Sequence, residues 1–222
     1  MRNTMEILDF EPFVTPTTIT ISGPTGVGKT VFVKKMIEQK AYLFPKNPPS
    51  HFLYCYAIHQ TIFDEIEDEL PFVTFHQGLP SEDLVDNFGS TGEHKVIILD
   101  DLMRRAVKDE SIELLFTQKS HHLNITIIFI TQNVFVKGSR TMNLNCHYTI
   151  LFRNFRDGQQ ISNLAKQFYP KRGQAFLEAY QHATRKCYGY LLVDASPHTR
   201  NELRLRTNIF EDDDCCVVYI LI

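Results

Sequence analysis

An α/β fold with a mainly parallel central sheet flanked by helices is predicted by three observations. Strand-like and helix-like segments alternate along the 222 residues. Two of the strand-like segments, "KVIILDD" (95–101) and "ITIIFITQN" (125–133), are near-continuous apolar runs. A glycine-rich turn, "GPTGVGKT" (23–30), ends the first strand and opens the first helix. Alternating strands and helices imply crossover connections and therefore parallel strands. Unbroken apolarity implies strands covered on both faces, as those of parallel sheets are. The 43% hydrophobic content is ordinary for a folded chain, and neither repeats nor a low-complexity linker divide it. Residues 1–222 therefore read as a single domain, with a core at about 17–195 and a C-terminal strand and tail at about 196–222.

The elements follow in order. "TTITIS" (17–22) alternates as a strand. "KTVFVKKMIEQK" (29–40) places Val31, Met36 and Ile37 near helical spacing with lysines opposite, and the Pro-rich "FPKNPPS" (44–50) stops it. "HFLYCYAI" (51–58) reads as a strand, "TIFDEIEDEL" (61–70) as an acidic helix and "PFVTFH" (71–76) as a short strand. Ser81 is placed to cap a helix over 81–88. After the 95–101 strand come a helix at 109–120 and the 125–133 strand. "HYTILFRN" (147–154) is a strand, 158–168 and 173–183 are helices, and "YGYLLVDA" (188–195) is a strand. "LRLRTNIF" (203–210) alternates as an edge strand would, and the closing "CCVVYILI" (215–222) reads as a buried strand, with a docking peptide as the alternative.

Net charge is only −3, but it is unevenly spread. Residues 1–133 carry 11 Lys/Arg against 18 Asp/Glu, residues 134–210 carry 12 against 4, and the last 12 residues carry four acids and no base. The basic stretch is a candidate polyanion face. The five cysteines (Cys55, Cys146, Cys187, Cys215, Cys216) are odd in number and lack C-x-x-C spacing. This argues against zinc and against a disulfide framework, and for a reducing compartment. "MRNTMEILDFEPF" lacks a signal peptide's apolar core, and the eight-residue tail is far short of the roughly 20 residues that span a membrane. The expectation is an unsecreted protein without a membrane span.

Gly23, Gly28, Lys29 and Thr30 satisfy G-x-x-x-x-G-K-[ST] in full, with a strand before and a helix after. Glycines let backbone amides approach phosphate oxygens, and the following helix presents its positive end to the same anion. The loop Gly23, Pro24, Thr25, Gly26, Val27, Gly28, Lys29, Thr30 and Val31 is thus the expected cradle for ATP, with Lys29 on the β- and γ-phosphates and Thr30 offering its hydroxyl to Mg²⁺. Asp100 and Asp101 end a buried strand at its carboxyl edge, where ligands collect in this fold class. Asp100 is the expected Mg²⁺ holder through water, and Asp101 the group that orients or deprotonates the attacking water. Capping of the segment "LMRRAV" is the competing role for Asp101. Gln132, at the polar end of the next strand, is placed to bond both the γ-phosphate and the lytic water.

The segments "GPTGVGKT", "VIILDD" and "SHHLNITIIFITQNVFVKGSRTMNLNCHYTILFRNFRDGQQISNLAKQFYP" resemble the DNA-packaging ATPases of the FtsK–HerA superfamily, most of all the poxvirus-type packaging ATPase of Polinton/Maverick elements and related DNA viruses. The resemblance covers most of residues 17–195. It implies a RecA-like (ASCE) P-loop core and a homo-oligomeric ring that threads double-stranded DNA, without regard to sequence, into a capsid. It also implies capsid or portal-like partners and a place in the virion or the host cell interior. By matching motif, Lys29 and Thr30 carry over as nucleotide and Mg²⁺ ligands, Asp100 as the metal-associated acid and Gln132 as the sensor. Asp101 departs from the glutamate of many relatives by one methylene, and "TQKSHHLN" has no arginine where relatives tend to have one.

An arginine given by a neighbouring subunit adds roughly 10³–10⁵ in rate in this chemistry, and Arg140, Arg153 and Arg156 are the candidates. Lys137, Arg140, Lys171, Arg172, Arg185 and Lys186 are candidate contacts to DNA phosphates. His121 and His122 have no third metal ligand at suitable spacing. A nucleotide or nucleoside kinase and a non-packaging translocase or helicase are the rival readings. A GTPase lacks support, since no N-K-x-D occurs.

Overall fold

The computed structural model describes residues 13–135, 144–156 and 158–221. One nine-stranded sheet runs through it: β1 (Thr18–Ser22), β2 (His51–Tyr56), β3 (Val73–Gln77), β4 (Lys95–Asp100), β5 (Ile125–Thr131), β6 (Tyr148–Phe152), β7 (Tyr190–Asp194), β8 (Leu205–Thr207) and β9 (Val217–Val218). Their spatial order is β3-β2-β4-β5-β1-β6-β7-β8-β9. Every pairing from β3 to β6 is parallel, and β7, β8 and β9 extend the sheet antiparallel. Helices among the described residues include α1 (Lys29–Glu38), α2 (Lys40–Leu43), α3 (Thr61–Glu69), α4 (Glu82–Gly89), α5 (Met103–Ala106), α6 (Glu110–Leu114), α7 (Ser120–His122), α8 (Gly158–Phe168) and α9 (Gly173–Ala183).

The period of two along β4 sorts the layers. Val96 and Ile98 pack with Val33 and Met36 of α1 and with Phe63 and Ile66 of α3. Ile97 and Leu99 pack on the opposite face, with Val85 of α4, Ile112 of α6 and Phe129 of β5. All six β4 residues and all seven of β5 are buried, the polar Lys95, Asp100, Thr126 and Thr131 included. A third cluster joins Ile161 and Leu164 of α8 and Phe176 and Tyr180 of α9 to Leu151, Leu191 and Leu205 of the sheet.

Local signals hold where their chemistry is local. Ser81 accepts from Leu84 N at 3.3 Å and caps α4. Asp109 accepts from Ser111 N and Ile112 N and caps α6. The helix over 109–120 is not uniform, for Leu115–Lys119 forms one wider π-helical turn between α6 and α7.

The C-terminal part corrects two expectations. β8 is not an edge strand, because it pairs with β7 on one side and β9 on the other. The closing apolar run is not a buried strand either. Among its described residues only Val217–Val218 forms a strand, and both residues are half-buried at the sheet's edge. Arg206 of β8 is 1% exposed, its Nη2 donating to Asp194 Oδ2 of β7 at 2.7 Å. Asp194 also accepts from Ser196 N and Thr199 Oγ1, so its carboxylate is well satisfied.

Candidate active site

The glycine-rich turn leaves β1 tied to its neighbour, Gly23 N donating to Thr131 O at 3.2 Å. Gly26 and Gly28 take φ of 83° and 90°, in the left-handed region that a side chain resists. Helix α1 starts at Lys29 with Gly28 as its N-cap, so no side chain covers its first amides, and no acid lies in its first turn. Such an end is a ready anion site. The Lys29 ammonium crosses the turn and donates to Gly23 O at 2.6 Å and Pro24 O at 2.9 Å. Burial pulls its pKa down, opposed by the charges of Asp101 and Asp100. Thr30 is half-buried beside it, Oγ1 donating to Gln60 Oε1 at 3.4 Å, and Val31 is exposed.

Asp100 follows Val96 and Ile98 at period two, which brings it out on the face that carries α1. It is 4% exposed, and Tyr54 of β2 donates its hydroxyl to Oδ2 at 2.9 Å. Burial raises the carboxyl to about 6, with Asp101 pushing the same way and the Tyr54 hydrogen bond and Lys29 opposing. Burial and the same carboxylate drive the Tyr54 phenol upward, so it stays a donor.

Asp101 takes φ of 54° and is exposed, its own amide bonded to Ile130 O at 3.1 Å. It does not cap the next helix, for Leu102 is the N-cap of α5 and no side chain serves there. Its Oδ2 accepts instead from Gln132 Nε2 at 3.3 Å. Because β5 lies between β1 and β4, Gln132 emerges between the glycine-rich turn and the acids. Three adjacent parallel strands thus deliver the turn, the glutamine and the acid pair to one edge.

Beside the turn is a cavity of about 1030 Å³, lined by residues 24–27, Gln132, Asn133, residues 152–156 and residues 185–189. Arg153 and Arg156 line it, close to their own chain's turn. The Arg153 guanidinium lies 4.0 Å from the Phe155 ring centre, and its Nη1 donates to Arg185 O at 3.5 Å. Arg140 and Lys137 lie outside the described residues. The basic stretch divides. Arg185 and Lys186 join this cavity, whereas Lys171 and Arg172 line a separate one of about 490 Å³ with Tyr219, Ile220 and Leu221. Arg204 and Arg206 serve the fold, Arg204 Nη1 donating to Asp194 O and Ser196 O.

Tyr54 is absent from the expected site residues although it carried a signal, a hydroxyl inside a buried strand that needs a partner. Among the described residues no group of three or more His, Cys, Asp or Glu could hold a metal, and His121 merely lies 6.4 Å, ring to ring, from His147. The Thr30 hydroxyl and Asp100 carboxylate nevertheless fit Mg²⁺, which takes one or two protein oxygens and completes its shell with phosphate and water. Tyr54 bonds only Oδ2, leaving Oδ1 of Asp100 for such a role. Among the described residues, no helix is long and apolar enough to cross a membrane.

No family model and no curated protein matches the chain. Solved structures do. The cytoplasmic domain of the Thermomonospora curvata Type VII secretion ATPase EccC is similar at a TM-score of 0.53 and 14% identity. The likeness covers 82% of this chain but 24% of that one, so this chain spans about a quarter of its length. The chain therefore shares the fold of an ATPase domain, an α/β sheet compatible with a RecA-like core and extended by antiparallel strands.

Proposed function

We propose that this chain is a single-domain, RecA-like (ASCE) P-loop ATPase that converts ATP and water to ADP and phosphate and moves double-stranded DNA, packaging it into a capsid. The carrying observation is the Gln132–Asp101 hydrogen bond, made where β5 separates the phosphate turn from the acid strand. The unbroken sheet from β3 to β9 supports one domain. The motor reading rests on the motif resemblance together with the fold shared with a secretion ATPase. A homo-oligomeric ring, capsid or portal-like partners and a virion or host-interior location follow from the same resemblance.

Lys29 and the turn amides hold the β- and γ-phosphates, with the uncapped start of α1 adding its positive end. Thr30 and Asp100 would hold Mg²⁺, which supplies charge neutralisation on the phosphates. Asp101 and Gln132 place a water in line with the γ-phosphorus. The water oxygen bonds phosphorus, the bridging P–O bond breaks with its electron pair leaving on ADP, and the water proton passes to Asp101. Loss of the γ-phosphate removes a partner of Gln132, whose strand is hydrogen-bonded to both β1 and β4.

A second reading, a nucleotide or nucleoside kinase, is favoured by Arg153, Arg156, Arg185 and Lys186 beside the turn, which suit an acceptor's phosphate as well as a donor's. ATP turnover with and without long double-stranded DNA, across a salt series, separates the two. Stimulation that fades with salt is the motor's outcome, since phosphate contacts release counterions. Phosphoryl transfer to a nucleoside or nucleotide, without DNA stimulation, reverses the ranking.

A further inference from the structure

The phosphate turn is flanked by an aromatic on the side away from its acids. Tyr188 precedes β7, and a Cβ placed on Gly28 would stand 2.8 Å from Tyr188 Cδ1 and 3.5 Å from Cε1. The ring thus lies against the last glycine of the turn, yet Tyr188 is 71% exposed. Its φ of 60° is unfavourable for a bulky side chain. The segment is held there by its neighbour. Gly189 N donates to Lys186 O at 3.1 Å, and a Cβ on Gly189 would meet Ala183 O at 2.5 Å. A large ring fixed in a strained conformation, with one face open to water, is the kind of outlier that points to a ligand.

The sheet order says which part of the ligand. β1 lies between β5 and β6. Gln132 and the acid pair come from the β5–β4 side, and Tyr188 comes from the β6–β7 side. A triphosphate whose γ end meets Asp101 and Gln132 extends its other end across the turn toward Tyr188. Val31, three residues after Gly28 and so on the same face of the first turn of α1, is 60% exposed and adds apolar surface. The cavity of about 1030 Å³ includes both Gln132 and Tyr188. That is at the upper end of the roughly 300–1,000 Å³ typical of ligand sites.

We infer that Tyr188 is the nucleobase platform of this site, stacking the base of a nucleoside triphosphate on its open face with Val31 at the base's edge. The inference rests on the nucleotide reading of the phosphate turn. Stacking engages the face of a base and not its hydrogen-bonding edge, so this contact discriminates weakly among bases.

Calorimetric titrations of Mg–ATP and of Mg–tripolyphosphate, which has no base, test it on the wild type, Tyr188→Ala and Tyr188→Phe. Tyr188→Ala should weaken Mg–ATP roughly ten- to a hundredfold while leaving tripolyphosphate unchanged, and Tyr188→Phe should restore ATP affinity. Equal losses for both ligands would assign Tyr188 to holding the turn and overturn the platform. Unchanged ATP affinity in Tyr188→Ala would overturn it too, with the phosphate site intact. A wild type that binds neither ligand would remove the nucleotide reading itself, and the platform with it.

Discussion

Gln132 donates through Nε2 to Asp101 Oδ2 across 3.3 Å, joining the carboxyl ends of two neighbouring parallel strands. Both residues sit just past their strands, on exposed backbone, so neither is needed for the core. Replacing Asp101 with Asn, which keeps the shape and removes the base, should cut ATP turnover by at least about a hundredfold. Mg–ATP affinity should be largely retained. A loss of affinity equal to the loss of turnover, measured by titration beside steady-state kinetics, would make Asp101 a binding group instead.

Asp101 also stores strain. Its φ of 54° costs roughly 1–2 kcal/mol for a residue with a Cβ, and glycine is free of that cost. Asp101→Gly should therefore be as stable as the wild type or more so in a denaturant melt, while turnover collapses. Clear destabilisation would give the carboxylate a structural role that its exposure does not suggest.

Burial pushes the Asp100 carboxyl up to about 6 from its ordinary 3.8. The folded state therefore keeps a proton that the unfolded chain has lost between those values, and stability falls as pH rises through that window. Asp100→Asn should melt higher than the wild type at about pH 8, by roughly 6–12 °C, and the gap should close at about pH 4. Turnover should be lost in this variant. In the wild type, Mg–ATP affinity should weaken as pH falls through about 6, because proton and metal compete for one carboxylate. Tyr54→Phe removes a hydrogen bond that favours the ionised form, so the midpoint of that pH profile should move upward. A profile unmoved by Tyr54→Phe would contradict the assigned contact.

The Asp194–Arg206 pair is 2.7 Å apart and almost wholly buried between β7 and β8. Breaking it with Asp194→Ala should cost roughly 3–5 kcal/mol, because the guanidinium is left buried without its counter-charge. Replacing both partners with apolar residues of similar size should cost markedly less. Equal costs for the single and double replacements, read from urea melts, would mean that packing and not charge dominates there.

The parallel half of the fold was legible because its signals are local and redundant. The apolar run at 96–99 and the nearly continuous one at 125–130 could be covered only on both faces, and the glycine spacing located the turn between β1 and α1. The acid pair and Gln132 were legible because strand ends are where such runs turn polar. The antiparallel extension was not legible. In "LRLRTNIF" an arginine every second residue reads as a solvent face, and only a carboxylate on another strand shows that Arg206 is interior. The tail misled for the opposite reason, since apolar content does not specify a partner, and among its described residues only Val217–Val218 forms a strand. Tyr188 was not legible because its place against Gly28 depends on a backbone angle that sequence spacing does not encode.

The most direct measurement is steady-state Mg–ATP hydrolysis by the wild type and Lys29→Ala, with circular dichroism to confirm that both are folded. Lys29 is half-buried and bonds only turn carbonyls, so its removal should leave the spectrum unchanged. Turnover should be measurable in the wild type and fall by at least about a hundredfold in the variant. Equal turnover by two folded proteins would contradict the placement of ATP hydrolysis at this site.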